Sequence, residues 1–180
     1  GREHIPHAAA LLAGKHQSFW DIFALLPLLD DPARVLKKEL TLIPLFGWFC
    51  MKFKMIAVDR SAGTSALKKM TADARQAVSD NRQVMIFPEG TRSAPGAAPD
   101  YKPGAAALYL QMGVACTPFA LTSGLVWPRR QVIRRPGTII VEFLPAIEPG
   151  LNRKAFAARL QDDIETATDA LLHDAGQSPG

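Results

Sequence analysis

Apolar positions in this chain fall into short unbroken runs and longer stretches with helical spacing, and the two kinds alternate. Residues 8–13 form such a run and predict a buried strand, while residues 19–29 place apolar side chains at helical intervals. The alternation recurs. Residues 34–36, 55–58 and 83–87 read as strands, and 65–79 and 105–112 as helices. Residues 114–121 and 138–144 read as the last strands, and residues 152–172 as a closing helix with Asn152 at its cap. Between them, residues 93–103 hold Pro95, Gly96, Pro99 and Pro103, too much turn chemistry for a regular element. Strands alternating with helices predict an α/β fold with a mainly parallel central sheet flanked by helices. Neither an internal repeat nor a linker divides it, so residues 1–180 read as one domain.

Composition narrows the class. A chain of 180 residues, 48% hydrophobic, is long enough for one proper core. Its 21 Lys and Arg against 17 Asp and Glu give a formal charge of +4. That balance favours phosphorylated substrates, acidic carrier surfaces or anionic lipid headgroups. Nucleic acid is set aside, because the basic residues are scattered and no recognition signature accompanies them. Cys50 and Cys116 lie in apolar surroundings without metal or redox spacing, so both read as reduced core residues of a cytosol-facing protein. The His4 and His7 pair has no acidic or cysteine ligand nearby, and no metal is expected. Residues 40–51 form an uncharged, largely apolar run, short of the roughly 20 residues a membrane span needs. With Lys52 and Lys54 behind it, the run suits either a headgroup boundary or a buried connection.

Two stretches carry chemistry. Ser18 and Asp21 have capping-box spacing, which sets His16 just outside a helix start. Asp21 then either completes the cap alone or also turns back to orient the imidazole as a general base. Further on, Phe87-Pro88-Glu89-Gly90-Thr91-Arg92 follows a predicted strand, at the strand end where open α/β sheets bind ligands. Gly90 allows close backbone approach there, and Arg92 can grip a phosphate; the plainer reading is a tight turn with Glu89 and Arg92 paired on the surface. The chain lacks G-x-S-x-G, Walker and G-x-G-x-x-G sequences, which removes the main support for serine hydrolase and nucleotide readings.

His16-x-x-x-x-Asp21, Val58-Asp59-Arg60, Phe87-Pro88-Glu89-Gly90-Thr91-Arg92 and Thr117-Pro118-Phe119 stand in the order of the four sequence blocks of the glycerolipid acyltransferases. Over roughly residues 5–125 the chain most resembles the 1-acyl-sn-glycerol-3-phosphate (lysophosphatidate) acyltransferases of that family. The resemblance implies that His16 is the general base, that Asp21 orients it, and that an acceptor hydroxyl attacks an acyl thioester directly. It implies an acceptor-binding block at Glu89, Gly90, Thr91 and Arg92, with Lys37 joining Arg92 on a phosphate, Arg60 binding or bracing it, and Lys102 matching a lysine that often follows the block. No cofactor is implied beyond acyl-CoA or acyl carrier protein as co-substrate. The implied partners are a lysophospholipid acceptor, that donor and an anionic membrane surface, at the cytoplasmic face of the inner membrane.

Two positions depart from the family pattern: Lys15 stands where asparagine is common, and Lys54 where glycine is common. Both leave the acceptor open, including another lysolipid such as a lyso-ornithine lipid. The family usually carries membrane-embedded helices ahead of the histidine, and only fifteen residues precede His16 here, so an anchor upstream is expected. A non-catalytic membrane-binding module, docking through Arg129, Arg130, Arg134 and Arg135, is the reading outside enzymes.

Overall fold

A computed structural model describes residues 1–176. Its elements run in the order β1 (Ala10–Gly14), α1 (Asp21–Ala24), β2 (Pro32–Lys37), α2 (Phe46–Lys52), β3 (Ile56–Val58), α3 (Gly63–Ser79), β4 (Gln83–Ile86), α4 (Gly104–Met112), β5 (Cys116–Leu121), α5 (Ser123–Val126), β6 (Val141–Phe143) and α6 (Arg153–Asp174). The strands form one six-stranded sheet in the order β3-β2-β4-β1-β5-β6. All neighbours are parallel except β5 and β6, which pair antiparallel. This is the predicted mainly parallel α/β sheet.

All five residues of β1 and all four of β4 are buried, because both faces of the sheet are covered. Their side chains still sort by face. Leu11, Ala13, Val84 and Ile86 pack with Met70, Ala74, Leu108, Phe156 and Ile164 of α3, α4 and α6. Leu12, Met85 and Phe119 pack on the other face with Leu25, Leu29 and Phe143. The flanking is therefore uneven, with the three long helices sharing one face. The predicted cap of α6 is present, since Asn152 Oδ1 accepts the Ala155 amide at 2.9 Å.

Three predicted elements differ. The helix expected over residues 19–29 is reduced to α1 and a 3₁₀ turn at Leu26–Leu28, because Pro27 has no amide to donate and its ring crowds the preceding turn. Residues 138–144 yield only β6. Residues 40–51 contain α2, entered through Leu45 at φ 65°, which the sequence hid because its apolar side chains surround the helix and leave no period. Only Gly47 and Cys50 of α2 are buried, while Leu42 is 81% and Leu45 77% exposed. The buried-connection reading fails, because most of the run is exposed. No helix among the described residues is long and apolar enough to cross a membrane.

Lys54, the departure from a family glycine, sits at φ 48°, in the left-handed region where a Cβ is strained. Lys54→Gly should therefore stabilise the chain by up to about 1 kcal/mol and raise its melting temperature by roughly 2–4 °C. A thermal melt followed by circular dichroism checks this, and a lowered midpoint would show that the lysine side chain contributes more than its backbone costs.

Candidate active site

Pairing of β1 with β4 sets Ala13 beside Ile86, so the chain leaves both strands side by side at the carboxyl edge of the sheet. His16 follows β1 and Phe87 follows β4, and their rings stack with centroids 4.1 Å apart and planes 14° off parallel. Next along the same edge, β2 ends at Lys37 and β3 at Val58, just before Asp59 and Arg60. Three of the four sequence blocks thus share the edge where open α/β sheets bind ligands, and the fourth, Thr117-Pro118-Phe119, lies within β5 with Phe119 paired to Gly14.

His16 Nδ1 lies 2.9 Å from Asp21 Oδ2, and the same oxygen accepts the amides of Gln17 at 2.8 Å and Ser18 at 2.9 Å. One oxygen of Asp21 therefore both caps the turn and contacts the ring, so the cap is not its sole contact. Ser18 has a smaller part than its capping-box position suggests, since its hydroxyl accepts only the Trp20 amide, at 3.2 Å. With Nδ1–H donating to a carboxylate, the free proton-accepting position is Nε2, which makes no hydrogen bond among the described residues. Asp21 is fully buried and its Oδ1 has no hydrogen-bond partner among the described residues. Nearby charge comes from Arg34, whose guanidinium donates to the Ile22 carbonyl at 3.0 Å. Burial pushes that guanidinium down to about 10, against the opposing pull of Cys50 and Asp21.

Gly90 closes the Phe87 turn at φ 66°, with its amide donating to the Phe87 carbonyl at 2.9 Å. Arg60 Nη1 donates to the Gly90 carbonyl at 2.5 Å, and a Cβ on Gly90 would meet the guanidinium at 3.0 Å. The close approach predicted for Gly90 is therefore to Arg60, which braces the turn. Arg60 leaves a short 3₁₀ turn capped by Asp59, whose carboxyl is held below the usual carboxylate range by hydrogen bonds from Ser61 and then Lys38. Ser93 ties this turn to the base: its amide donates to the His16 carbonyl at 2.8 Å and its hydroxyl to Glu89 at 2.7 Å.

The surface pair of Glu89 with Arg92 does not form. Glu89 is 4% exposed and turned inward, with Oε1 3.2 Å from the ammonium of Lys15. Arg92 keeps its guanidinium out of any ion pair among the described residues, while its carbonyl accepts Arg129 at 2.8 Å. Thr91 is exposed beside it, and Lys37 is exposed at the end of β2. Lys102 reaches the motif only through its backbone, donating to the Pro88 carbonyl at 2.9 Å, and its ammonium pairs with Asp100. The structure thus gathers His16, Asp21, Glu89, Gly90 and Arg60 into one bonded cluster and leaves Lys37, Thr91, Arg92 and Lys102 around it. Sequence reasoning missed Ser93, Arg34 and Glu165, and saw Lys15 only as a departure. A charge inside a predicted strand was the available signal for Arg34; Glu165, on a distant helix, gave none.

A histidine and carboxylate pair at the carboxyl edge of a parallel sheet, beside a braced glycine turn and a free arginine, suits proton removal from an acceptor held by an anionic group. Residues 1–122 match the family model described as Acyltransferase. The chain is 37% identical over 147 residues to a 1-acyl-sn-glycerol-3-phosphate acyltransferase of Pseudomonas aeruginosa, covering 82% of this chain and 57% of that protein. It is 32% identical over 141 residues to a protein of the same name from Cocos nucifera, covering 77% of this chain and 46% of the relative. The fold is shared with the crystal structure of the 1-acyl-sn-glycerophosphate acyltransferase PlsC from Thermotoga maritima, at a TM-score of 0.81 and 21% identity, over 95% of this chain and 70% of that one. The chain belongs to the acyltransferase family. It spans about half the length of the curated relatives it matches.

Proposed function

We propose that the chain transfers a fatty acyl group from an acyl-CoA or acyl carrier protein thioester to the free hydroxyl of lysophosphatidate, giving phosphatidate for phospholipid synthesis. The observation that carries this reading is the 2.9 Å contact of His16 Nδ1 with the buried Asp21 carboxylate, which leaves Nε2 as a proton acceptor. Nε2 takes the hydroxyl proton as the acceptor oxygen attacks the thioester carbonyl carbon. The carbon–sulfur bond then breaks, and the proton passes from the imidazolium to the departing thiolate. The names of the two curated relatives support lysophosphatidate as acceptor. The test is to incubate the chain, in detergent or with liposomes, with lysophosphatidate and mixed acyl thioesters, and to follow free thiol and lipid mass together. Phosphatidate stoichiometric with thiol is expected. Thiol release without lipid product would point to a thioesterase or another acceptor, such as a lyso-ornithine lipid.

Arg92, whose guanidinium has no ion-pair partner among the described residues, is assigned to the acceptor phosphate, with Lys37 as the second cation. A charge-assisted hydrogen bond contributes roughly 1.5–3 kcal/mol, so Arg92→Ala should raise the acceptor KM by about 10–100-fold with little change in kcat. An unchanged acceptor KM with a raised donor KM would move Arg92 to the thioester side.

The membrane partner is assigned to an anionic cytoplasmic surface. Val132 and Ile133 are 90% and 79% exposed between two arginine pairs, and the exposed Trp48 and Phe49 of α2 lie beside Lys52. Each surface arginine contributes about 1 kcal/mol on anionic lipid, so replacing Arg130 and Arg135 by glutamine should weaken vesicle binding roughly 30-fold. Sedimentation with phosphatidylglycerol-containing and neutral vesicles reads this, and equal binding to both would reject the assignment.

A further inference from the structure

Lys15 immediately precedes the base, and at 1% exposure it is among the most buried side chains of the chain. Its ammonium lies 2.7 Å from both carboxylate oxygens of Glu165 and 3.2 Å from Glu89. Glu165 belongs to α6, outside the residues that match the family model. Tyr101 completes the group by donating its hydroxyl to Glu165 Oε1 at 2.8 Å. Burial, reinforced by the Glu165 charge, pushes the phenol pKa up and keeps it a donor.

These contacts join end to end. Glu165 holds Lys15, Lys15 holds Glu89, Glu89 accepts the Ser93 hydroxyl, and the Ser93 amide donates to the carbonyl of His16. A lysine at position 15 brings into the interior a charge that asparagine does not, and an uncompensated buried charge is strongly unfavourable. Glu165 supplies the counter-charge. We infer that Glu165 and Lys15 form a coupled positioning pair through which α6 fixes the Glu89 turn and the His16 backbone. Both act as positioning residues, through Glu89 and Ser93. The inference builds on the acyl-transfer reading above.

Four proteins test it: the parent, Lys15→Asn, Glu165→Gln and the double variant, compared at a temperature where melting curves show each to be folded. Lys15→Asn leaves two carboxylates facing each other without a cation. Its kcat should fall about 30-fold or more, with the acceptor KM within about threefold of the parent, because small misplacement of a base is costly in the chemical step. Adding Glu165→Gln should recover at least about tenfold of that loss, since contacting residues couple. A Lys15→Asn kcat within threefold of the parent, or a double variant no faster than Lys15→Asn, overturns the pairing. Should Lys15→Asn fail to fold, Glu165→Gln decides alone: it keeps the Lys15 and Glu89 pair, and its kcat should fall by about fivefold, so a parental kcat overturns the inference.

A second measurement is independent of turnover. In ¹⁵N-histidine-labelled protein the His16 imidazole signals, identified by their loss in His16→Gln, should shift in Lys15→Asn, or in Glu165→Gln where the former does not fold, and return toward the parent position in the double variant. Unmoved signals overturn the inference. A parent inactive on lysophosphatidate counts against the proposed function alone, because the imidazole signals still read the coupling.

Discussion

His16→Ala should lower acyl transfer by about two to four orders of magnitude and leave the chain folded. The size follows from the role. Without the imidazole the acceptor hydroxyl must lose its proton to water, and no other base replaces it within the bonded cluster: the Asp21 carboxylate is fully buried and committed to two amides, and Glu89 is committed to Lys15 and Ser93. Survival of the fold follows from the same contacts. Asp21 keeps both amides when the ring is gone, and the Ser93 amide bonds the backbone carbonyl of residue 16, which alanine retains. The stacked contact with Phe87 is lost, at about 0.5–1.5 kcal/mol, a shift of a few degrees in melting temperature. Phosphatidate formation and thiol release, read on one sample with its melting curve, check both parts. Near-parental turnover in the folded variant would reject His16 as the base.

The fold was legible where the local pattern and the tertiary outcome agree. The runs at β1, β4 and β5 read as buried strands because both sheet faces are covered, and α3 and α6 carry a period that tertiary packing uses. Failures came where a local signal was absent or was overridden. Pro27 ended α1 within a stretch whose spacing looked helical, and α2 has apolar side chains nearly all round. The site divides in the same way. His16, Asp21 and the Phe87 turn lie in contiguous motifs, and the strand order brings them abreast. Glu165 reaches the cluster across 150 residues of sequence, and no local rule ties it to Lys15. Arg60 was assigned near the motif, but its actual partner, the Gly90 carbonyl, depends on β3 and β4 ending on the same edge.

Asp21→Asn and Asp21→Ala should separate the two tasks carried by one carboxylate oxygen. In Asp21→Asn the side-chain carbonyl can still accept the Gln17 and Ser18 amides, so the turn keeps its cap. What it loses is charge. The imidazolium that forms as His16 takes a proton then faces a neutral amide, and the rate should fall by about two to three orders of magnitude. Arg34, buried close by, also loses its negative neighbour, so a stability loss of about 1–2 kcal/mol is expected. Asp21→Ala removes the cap as well. Two buried amides are left without a partner, each costing about 1–3 kcal/mol, and with the loss at Arg34 the total should reach roughly 3–8 kcal/mol, enough to unfold much of the protein. Urea midpoints and rates measured on the same preparations read the two losses apart. If Asp21→Asn kept the parental rate, the carboxylate would serve the helix start only and His16 would need no charged partner. A deep rate loss in a variant that stays folded requires the charge itself, and only the bond to Nδ1 delivers that charge to the base.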